Sequence, residues 1–278
     1  GTSHALTAAV LYGVLTGRMT WTHAHNTVHN PAAMPSPLRA LLHFDFVGMI
    51  DAWMGEHHCH HAHTNTAHDP DTRWFTPLFC YRSVFSSGGS APTGLLALTA
   101  YPLLLPFMLI KSMRHVIVHE PSTDSMSLVA WMVLVGPLRF GLDAMLLGSH
   151  FVAAMAAAIT YLVGTFVATH QLSRNYIRSD DWCLNQMHAT NNVCPFSSSW
   201  SAFCGGINLH VEHHLFPHVS SDALPAIAPV VASFAAQKGL PYHCFTPPEL
   251  ASEHVSFLFG SRRHESTGSA SPSVKNAQ

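Results

Sequence analysis

Long uncharged apolar runs alternate with polar segments along this 278-residue chain. Residues 94–110 carry no charge, and the apolar character resumes after two basic residues and continues to Val118. Residues 144–169 form a second uncharged run. A helix needs about 20 apolar residues to cross a bilayer, and Pro102 and Pro106 are tolerated as kinks in the first run. The pattern therefore predicts two transmembrane helices.

Three shorter apolar segments are predicted not to cross. Residues 5–17 indicate the end of a helix whose beginning lies outside the sequence. Residues 126–138 predict an interfacial helix followed by an i, i+4 ion pair between Arg139 and Asp143. The alternative is an ionisable pair inside a span, which would mark a functional site. Residues 223–237 predict a short helix, broken by two prolines and packed on the membrane face or the catalytic domain.

The composition favours a membrane protein. Charged residues make up 10% of the chain, against about 25% in soluble proteins, which indicates that much of the surface faces lipid. A formal net charge of −2, without a basic block longer than two residues, argues against nucleic acid as a partner. The six cysteines form no C-x-x-C pair and are predicted to be reduced thiols in or near the cytosol. No signal-peptide pattern precedes the first apolar stretch, and the Ser-rich residues 261–278 predict a disordered tail.

Histidine supplies the candidate chemistry. The chain has 23 histidines, and three clusters have helical spacing: His25-x-x-x-His29, His57-x-x-His60-His61 and His210-x-x-His213-His214. Spacings of three and four place imidazoles on one helix face, where they can close on one metal ion. Imidazole binds Fe, Zn and Cu through a neutral nitrogen. A His-rich loop that stores zinc or copper without chemistry is the simpler alternative.

The membrane topology follows from a parity argument. If the second and third clusters share one metal centre, an even number of crossings must separate His61 from His210, and two predicted helices satisfy this. The cluster side would carry six arginines: Arg18, Arg39, Arg73, Arg82, Arg174 and Arg178. The opposite side would carry Lys111, Arg114 and Arg139. The excess of basic residues favours clusters that face the cytosol.

The order and spacing of the clusters resemble the histidine boxes of the membrane fatty acid desaturases, closest to the front-end (acyl-lipid or acyl-CoA) branch. The resemblance covers residues 21–245 and includes the strings Asp69-Pro70-Asp71, Asp181-Trp182 and Glu212-His213-His214-Leu215-Phe216-Pro217. Front-end members usually carry Gln where this chain has His210, so the family is better supported than the branch. Box one also has Asn26 where the family commonly has Asp.

The resemblance implies an all-α membrane protein, with transmembrane helices capped by a cytosolic helical domain that holds a di-iron site. The desaturase domain would cover residues 1–260, without a cytochrome b5 domain and with a truncated N-terminus. Nine histidines are the implied iron ligands: His25, His29, His57, His60, His61, His170, His210, His213 and His214. We expect four further residues to support ligand imidazoles through their second ring nitrogen: Glu212, Asn208, Asp69 and Asp71.

The resemblance also implies an activity. Two Fe ions would use O2 to insert a cis double bond into a fatty acyl-CoA or acyl-lipid, on the carboxyl side of an existing double bond. Electrons would come from cytochrome b5 and an NAD(P)H-dependent reductase, in the endoplasmic reticulum membrane. Three alternatives stay open: a hydroxylase of acyl or sphingoid chains, a non-enzymatic metal-binding membrane protein, and a truncated inactive relative. A metal transporter would place histidines within the spans, where only His150 lies well inside.

Overall fold

The computed structural model describes residues 2–30, 50–73, 80, 89–101, 134 and 136–260. Within these ranges the regular secondary structure is helical except for one pair of two-residue strands, and turns and loops connect the elements. The helices are α1 (Thr2–Gly17), α2 (His23–His29), α3 (Ile50–His63), α4 (Ala91–Ala100), α5 (Gly136–Leu147), α6 (Phe151–Leu162), α7 (Ala168–His170), α8 (Trp182–Ala189), α9 (Ser198–Cys204), α10 (His210–Leu215), α11 (Leu224–Lys238) and α12 (Pro247–Phe259). Strands β1 (Asn192–Val193) and β2 (Cys244–Phe245) pair in parallel.

The N-terminal part is one long helical rod. A π-helical turn over Arg18–Thr22 joins α1 to α2. The helix ends at His29, and its C-cap residue Asn30, immediately before Pro31, is already non-helical. A residue before proline avoids the helical region, so the end point has a local cause. The segment 5–17 is therefore part of a helix that continues through the first histidine box.

A second long helical stretch runs over Gly141–His170 and includes a 3-10 turn at Gly148–His150 and a π-helical turn at Val163–Val167. Among the described residues it is the one helix long and apolar enough to cross a membrane, and it contains the predicted run 144–169. The apolar helix α4 covers the start of the first predicted crossing. The rest of that crossing, most of segment 126–138 and the predicted tail lie outside the described residues.

Small residues bring the two long helices into backbone contact. A Cβ atom on Gly13 would lie 2.0 Å from the carbonyl oxygen of Ala154, and one on Gly17 would lie 3.0 Å from that of Ala158. Small residues four apart allow this close approach of helices. Next to this seam, the Tyr12 hydroxyl donates a hydrogen bond of 2.6 Å to the Asp143 carboxylate. The predicted partner of Asp143 was Arg139, whose side chain lies outside the described part.

The C-terminal third packs a small core beneath the third histidine box. Leu224, Ala228, Val231 and Ala235 form the buried face of α11, which contacts residues of α8 and α10. The prediction of a helix packed on the catalytic domain is confirmed, but the predicted break at Pro225 and Pro229 is wrong, because α11 is continuous. Pro225 lies in the first turn, where a missing N–H leaves no carbonyl unsatisfied.

Candidate metal centre

Four elements converge on one buried histidine cluster. Box one ends the N-terminal rod, box two lies on α3, box three forms α10, and His170 ends the long apolar stretch. All nine histidines singled out in the sequence lie in this cluster; His29 is partly buried and the other eight are buried. Their ring nitrogens separate into two groups.

The five-histidine group consists of His25, His29, His57, His61 and His213, whose facing ring nitrogens all lie within 4.8 Å of one another. The Nε2 atoms form a series of contacts: 2.9 Å for His29–His57, 3.2 Å for His57–His61 and 3.1 Å for His61–His213. A neutral ring nitrogen has either one lone pair or one hydrogen in the ring plane, so ordinary hydrogen bonds satisfy two of these three contacts at most. Metal–nitrogen bonds of about 2.1 Å would place adjacent ligands about 3.0 Å apart. The spacing therefore fits a shared cation.

The four-histidine group consists of His60, His170, His210 and His214. Its members His60, His170 and His214 have facing nitrogens within 4.8 Å, and the Nε2 atoms of His170 and His210 are 2.7 Å apart. The Nδ1 atoms of His170 and His210 lie 3.0 and 3.1 Å from the carbonyl oxygens of Ala189 and Ile207. A carbonyl only accepts, so both rings carry their hydrogen on Nδ1. Two bare Nε2 lone pairs then face each other, an arrangement that a positive ion between them stabilises.

The other two members of this group are oriented by side chains. Asp69 accepts from His60 Nδ1 at 3.0 Å, and the Gln186 side-chain oxygen lies 2.9 Å from His214 Nδ1. The Nε2 atoms of both rings are buried and have no hydrogen-bond partner within the described ranges. Hydrogen-bonded Nδ1 and free Nε2 atoms are the arrangement that metal-binding histidines adopt.

Burial controls the charge of most of these rings. It holds the pKa of His57, His61, His213 and His214 well below the usual value, and neighbouring imidazoles add to the effect. These rings are therefore neutral at pH 7, which is the form that binds a metal. Burial acts in the same direction on His60, but the adjacent carboxylates of Asp69 and Asp71 outweigh it and raise the pKa of His60 to about 9. The same negative field attracts a metal cation.

The loop after box two holds Asp69 in place. Asn65 ends the helical region with a positive φ of 55°, a conformation that Asn tolerates better than most residues. The two Asp69 carboxylate oxygens accept from the backbone N–H groups of Asn65 at 2.7 Å and Asp71 at 2.8 Å. The Asn65 amide donates to the carbonyl oxygen of His170 at 2.9 Å. One loop thus connects box two to the end of the long apolar stretch.

Helix α8 holds the C-terminal end of α3. Trp182, Asn185 and Gln186 share one face at i, i+3 and i+4. Trp182 Nε1 and Gln186 Nε2 donate to the carbonyl oxygen of His61 at 3.2 and 3.0 Å, and Asn185 donates to that of Thr64 at 3.2 Å. In the sequence, Trp182 stands out only as part of a matching string. None of these three roles can be predicted from local spacing, because the hydrogen bonds join residues more than 120 positions apart.

The four expected supporting residues lie in different places. Asp69 contacts His60 directly, and Asp71 Oδ2 lies 3.6 Å from the same Nδ1 atom. The buried Glu212 carboxylate instead accepts from Tyr242 at 2.7 Å and from Asn192 at 2.8 Å. Asn208 donates to the Val193 carbonyl and to the Ser201 hydroxyl, both at 3.1 Å. Glu212 and Asn208 therefore fasten α10 and the segment before it to β1 and its surroundings.

A cavity opens beside both groups. Its apolar wall includes Trp21, Trp53, Leu162 and Phe166, and its polar side includes His57, His60, His170 and His210. Trp53 contacts the ring of His57 with 5.0 Å between ring centroids, and Phe166 contacts that of His25 at 5.3 Å. An apolar molecule in this cavity would lie directly against the imidazoles.

Comparison with known proteins agrees with this geometry. The sequence profile of the family described as fatty acid desaturase matches residues 2–246. The chain belongs to the fatty acid desaturase family. No solved structure matches it significantly.

Individual relatives are distant and longer. A Delta(5) fatty acid desaturase of Caenorhabditis elegans is 24% identical over 86% of this chain and 60% of its own length. A chloroplastic acyl-lipid (7-3)-desaturase of Chlamydomonas reinhardtii is 30% identical over 44% of this chain and 27% of its own. Human fatty acid desaturase 3 is 41% identical over 22% of this chain and 14% of its own length. The chain thus spans less than two thirds of the length of these relatives.

Proposed function

We propose that this desaturase-family chain inserts a cis double bond into a fatty acyl chain at a di-iron centre held by the nine clustered histidines. The observation that carries the proposal is the pairing of His170 and His210, whose bare Nε2 atoms lie 2.7 Å apart. Their Nδ1 hydrogens are held by backbone carbonyls, so a metal cation bound between the two Nε2 atoms would stabilise the facing lone pairs. Family membership gives the chemistry for which such a site is used.

Iron, when bound, supplies the oxidation of an unactivated methylene, which lies beyond any side-chain acid or base; zinc is redox-inert. The chain's own residues would hold the iron and orient the imidazoles that bind it. His60 presents Nε2 because Asp69 accepts from Nδ1, and His214 does so because Gln186 accepts from its Nδ1. Both rings are thereby held in one orientation, with Nε2 directed at the site. Of the two, His214 is neutral at pH 7, whereas His60, whose pKa is raised to about 9, gives up a proton when a metal binds.

The cavity is the proposed position of the reacting methylenes. Trp21, Trp53 and Phe166 provide apolar walls beside the imidazoles, and such walls exclude water from the reacting carbons. Acyl-CoA and acyl-lipid both remain candidate carriers, because the carrier group would lie outside this cavity.

The electron balance requires a donor. Removing two hydrogens from the acyl chain supplies two electrons and two protons, whereas reducing O2 to two water molecules takes four of each. Two electrons and two protons must therefore come from elsewhere. We propose cytochrome b5, reduced by an NAD(P)H-dependent reductase, as the electron source.

The position of the new bond is proposed on the carboxyl side of an existing double bond. The resemblance to front-end desaturases and the relative named as a Delta(5) desaturase support this position. His210 in place of the usual Gln is the one departure in box three that bears on the branch.

The proposed location is the endoplasmic reticulum membrane, with the boxes facing the cytosol. The apolar stretch Gly141–His170 supports a membrane. The N-terminal rod and this stretch both end at the histidine cluster, which supports a common side for the boxes. We further propose one desaturase domain over residues 1–260, followed by a tail.

The test is expression with cytochrome b5 in a host that lacks polyunsaturated acids, followed by mass spectrometry that locates double bonds. We expect a new double bond between the carboxyl end and the existing one. His213→Ala removes a clustered histidine and should abolish the product, whereas His63→Ala, an exposed histidine at the end of α3, should retain it. A bond elsewhere would reject the front-end position, a hydroxylated chain would reject desaturation, and no product from iron-loaded protein would reject both.

A further inference from the structure

The side chain of Gln186 joins the two histidine groups. It is fully buried on α8. Its Nε2 atom donates a hydrogen bond of 3.0 Å to the carbonyl oxygen of His61, in the five-histidine group. Its Oε1 atom lies 2.9 Å from Nδ1 of His214, in the four-histidine group. Among the residues that the structure describes, no other side chain is hydrogen-bonded to both His61 and His214.

The amide of Gln186 has one orientation. A carbonyl oxygen only accepts, so the NH2 group must face His61 and the amide oxygen must face His214. The His214 ring therefore carries its hydrogen on Nδ1, which leaves Nε2 bare for a metal. The backbone of Gln186 is held as well, because the Thr190 hydroxyl donates to its carbonyl oxygen at 2.7 Å. Gln186 is thus a fixed link with both ends occupied.

The two residues that Gln186 joins form the closest ring contact between the groups. The rings of His61 and His214 stack with 4.1 Å between centroids and 27° between planes. The other ring contacts between members of the two groups have centroids 5.6 to 5.7 Å apart. His61 directs its Nε2 atom at His57 and His213, within its own group. The stack therefore lies between the two proposed metal positions.

We propose that Gln186 is a positioning residue that sets the separation of the two metal positions by holding the His61–His214 stack together. The inference rests on the proposed function, because it requires an iron ion in each group. Both ions would act on one O2 molecule, so their separation is part of the catalytic geometry. A misplacement of about 1 Å in such a geometry can cost about 100-fold in rate.

Satisfying the His61 carbonyl does not by itself require Gln186. The indole N–H of Trp182 donates to the same oxygen at 3.2 Å. His214 Nδ1 likewise has a second neighbour, the Thr64 hydroxyl at 3.3 Å. Each of these two contacts reaches only one of the stacked residues. Loss of the Gln186 amide would therefore leave neither partner unpaired, so the variant should fold, but the connection between the groups would be lost.

The experiment compares two variants that each remove one donor from the same carbonyl oxygen. Gln186→Met keeps the length of the side chain but loses both of its hydrogen bonds, whereas Trp182→Phe leaves the contact between Gln186 and His214 in place. Each protein, in detergent, is loaded anaerobically with saturating Fe(II), and iron per chain is determined. Parallel-mode electron paramagnetic resonance and Mössbauer spectroscopy measure the magnetic interaction between the two Fe(II) ions, which weakens with distance. The yield of double bond per O2 consumed is measured on the same samples.

Trp182→Phe should match the wild-type protein in magnetic interaction and in yield per O2. Gln186→Met, at the same iron content, should show a weaker interaction, and its yield per O2 should fall about 10–100-fold, as is typical of residues behind metal ligands. Gln186→Glu has the same shape and keeps an acceptor for His214, but it loses the donor to His61. It should weaken the interaction too, and it provides the test if Gln186→Met does not fold.

Three results would overturn the inference. The first is an unchanged magnetic interaction in the Gln186 variants at full iron content. The second is an equal change in Gln186→Met and Trp182→Phe, which would make the shared bond to His61 responsible. The third is a Gln186 variant that binds only one of the two irons at saturation, because Gln186 would then support a single site. Failure of the proposed function is a separate observation: iron-loaded wild-type protein would form no double bond, whatever the magnetic comparison shows.

Discussion

The five-histidine and four-histidine groups differ in what holds their rings. In the four-histidine group every Nδ1 atom has an acceptor: Asp69, Gln186 or a backbone carbonyl. In the five-histidine group, the Nδ1 atoms of His29, His57 and His61 are buried without a hydrogen-bond partner in the described part of the chain. Similar ligands are thus presented in one case by polar contacts and in the other by helix geometry and packing. The comparison predicts that the four-histidine group holds its metal more tightly.

Removing a ring from either group should have the largest effect. His60→Ala and His61→Ala should each lower product formation by more than about a hundredfold, beyond the 10–100-fold typical of supporting residues. Elemental analysis should show that iron falls from about two to about one per chain, since each variant disables one group. His63→Ala serves as the control on the same helix. Full activity in His60→Ala or His61→Ala would remove that residue from the proposed ligand set.

Removing the carboxylate behind His60 should weaken only the four-histidine group. Asp69→Asn keeps the shape of the side chain but loses its charge, and should reduce iron affinity at this group by about 10–100-fold. Asp71→Asn, whose oxygen is 3.6 Å from the same ring nitrogen, should have a smaller effect. Titration of the apo-protein with Fe(II) measures the iron affinity of each variant. Equal affinities in the two variants would show that proximity, and not the hydrogen bond, governs the site.

Chelation tests the comparison directly. A competing chelator should remove iron in two phases whose rate constants differ about tenfold. The faster phase is assigned to the five-histidine group. Asp69→Asn should accelerate the slow phase and bring the two together. A single phase in the wild-type protein, or an acceleration confined to the fast phase, contradicts the assignment.

The smallest effect on activity is expected at His254, which supports the four-histidine group from a distance. Its Nδ1 donates to the Gln171 carbonyl at 2.8 Å, beside His170, and its Nε2 accepts from the Tyr101 hydroxyl at 2.7 Å. Burial lowers the pKa of His254 to about 4, although the bond to Gln171 opposes the shift. The unfolded chain binds this proton near pH 6.5 and the folded chain only near pH 4, so stability is lost as pH falls through this window.

His254→Gln should preserve both hydrogen bonds without titrating. Relative to this variant, wild-type protein should lose about 2 kcal/mol of stability between pH 7.5 and 5, or about 4–8 °C in Tm. Thermal unfolding of the apo-proteins in detergent measures the difference. Parallel pH profiles for the two proteins would show that His254 does not titrate as burial predicts.

The sequence was informative about the ligands because helical spacing is local. Boxes two and three place their rings on one face by rules that need no tertiary structure. The same rules explain why Glu212 faces away: it lies two positions after His210, on the opposite side of α10, and binds Tyr242. The contacts of Gln186 with His61 and His214 could not be predicted, because they join residues far apart in sequence. The π-helical turn before box one likewise has no pattern in its sequence.

The contact between Gly13 and Ala154 fixes how the two long helices are aligned along their axes, and this alignment determines where their histidines lie in the distant cluster. Each helical residue advances the chain by about 1.5 Å, whereas metal–ligand distances vary by only about 0.2 Å. A slip of one residue between the rods would therefore displace box one from His170 by several times that tolerance. A side chain at Gly13 would collide with a backbone oxygen, so the absence of a Cβ atom at this position fixes the alignment of two ends on which the whole metal geometry depends.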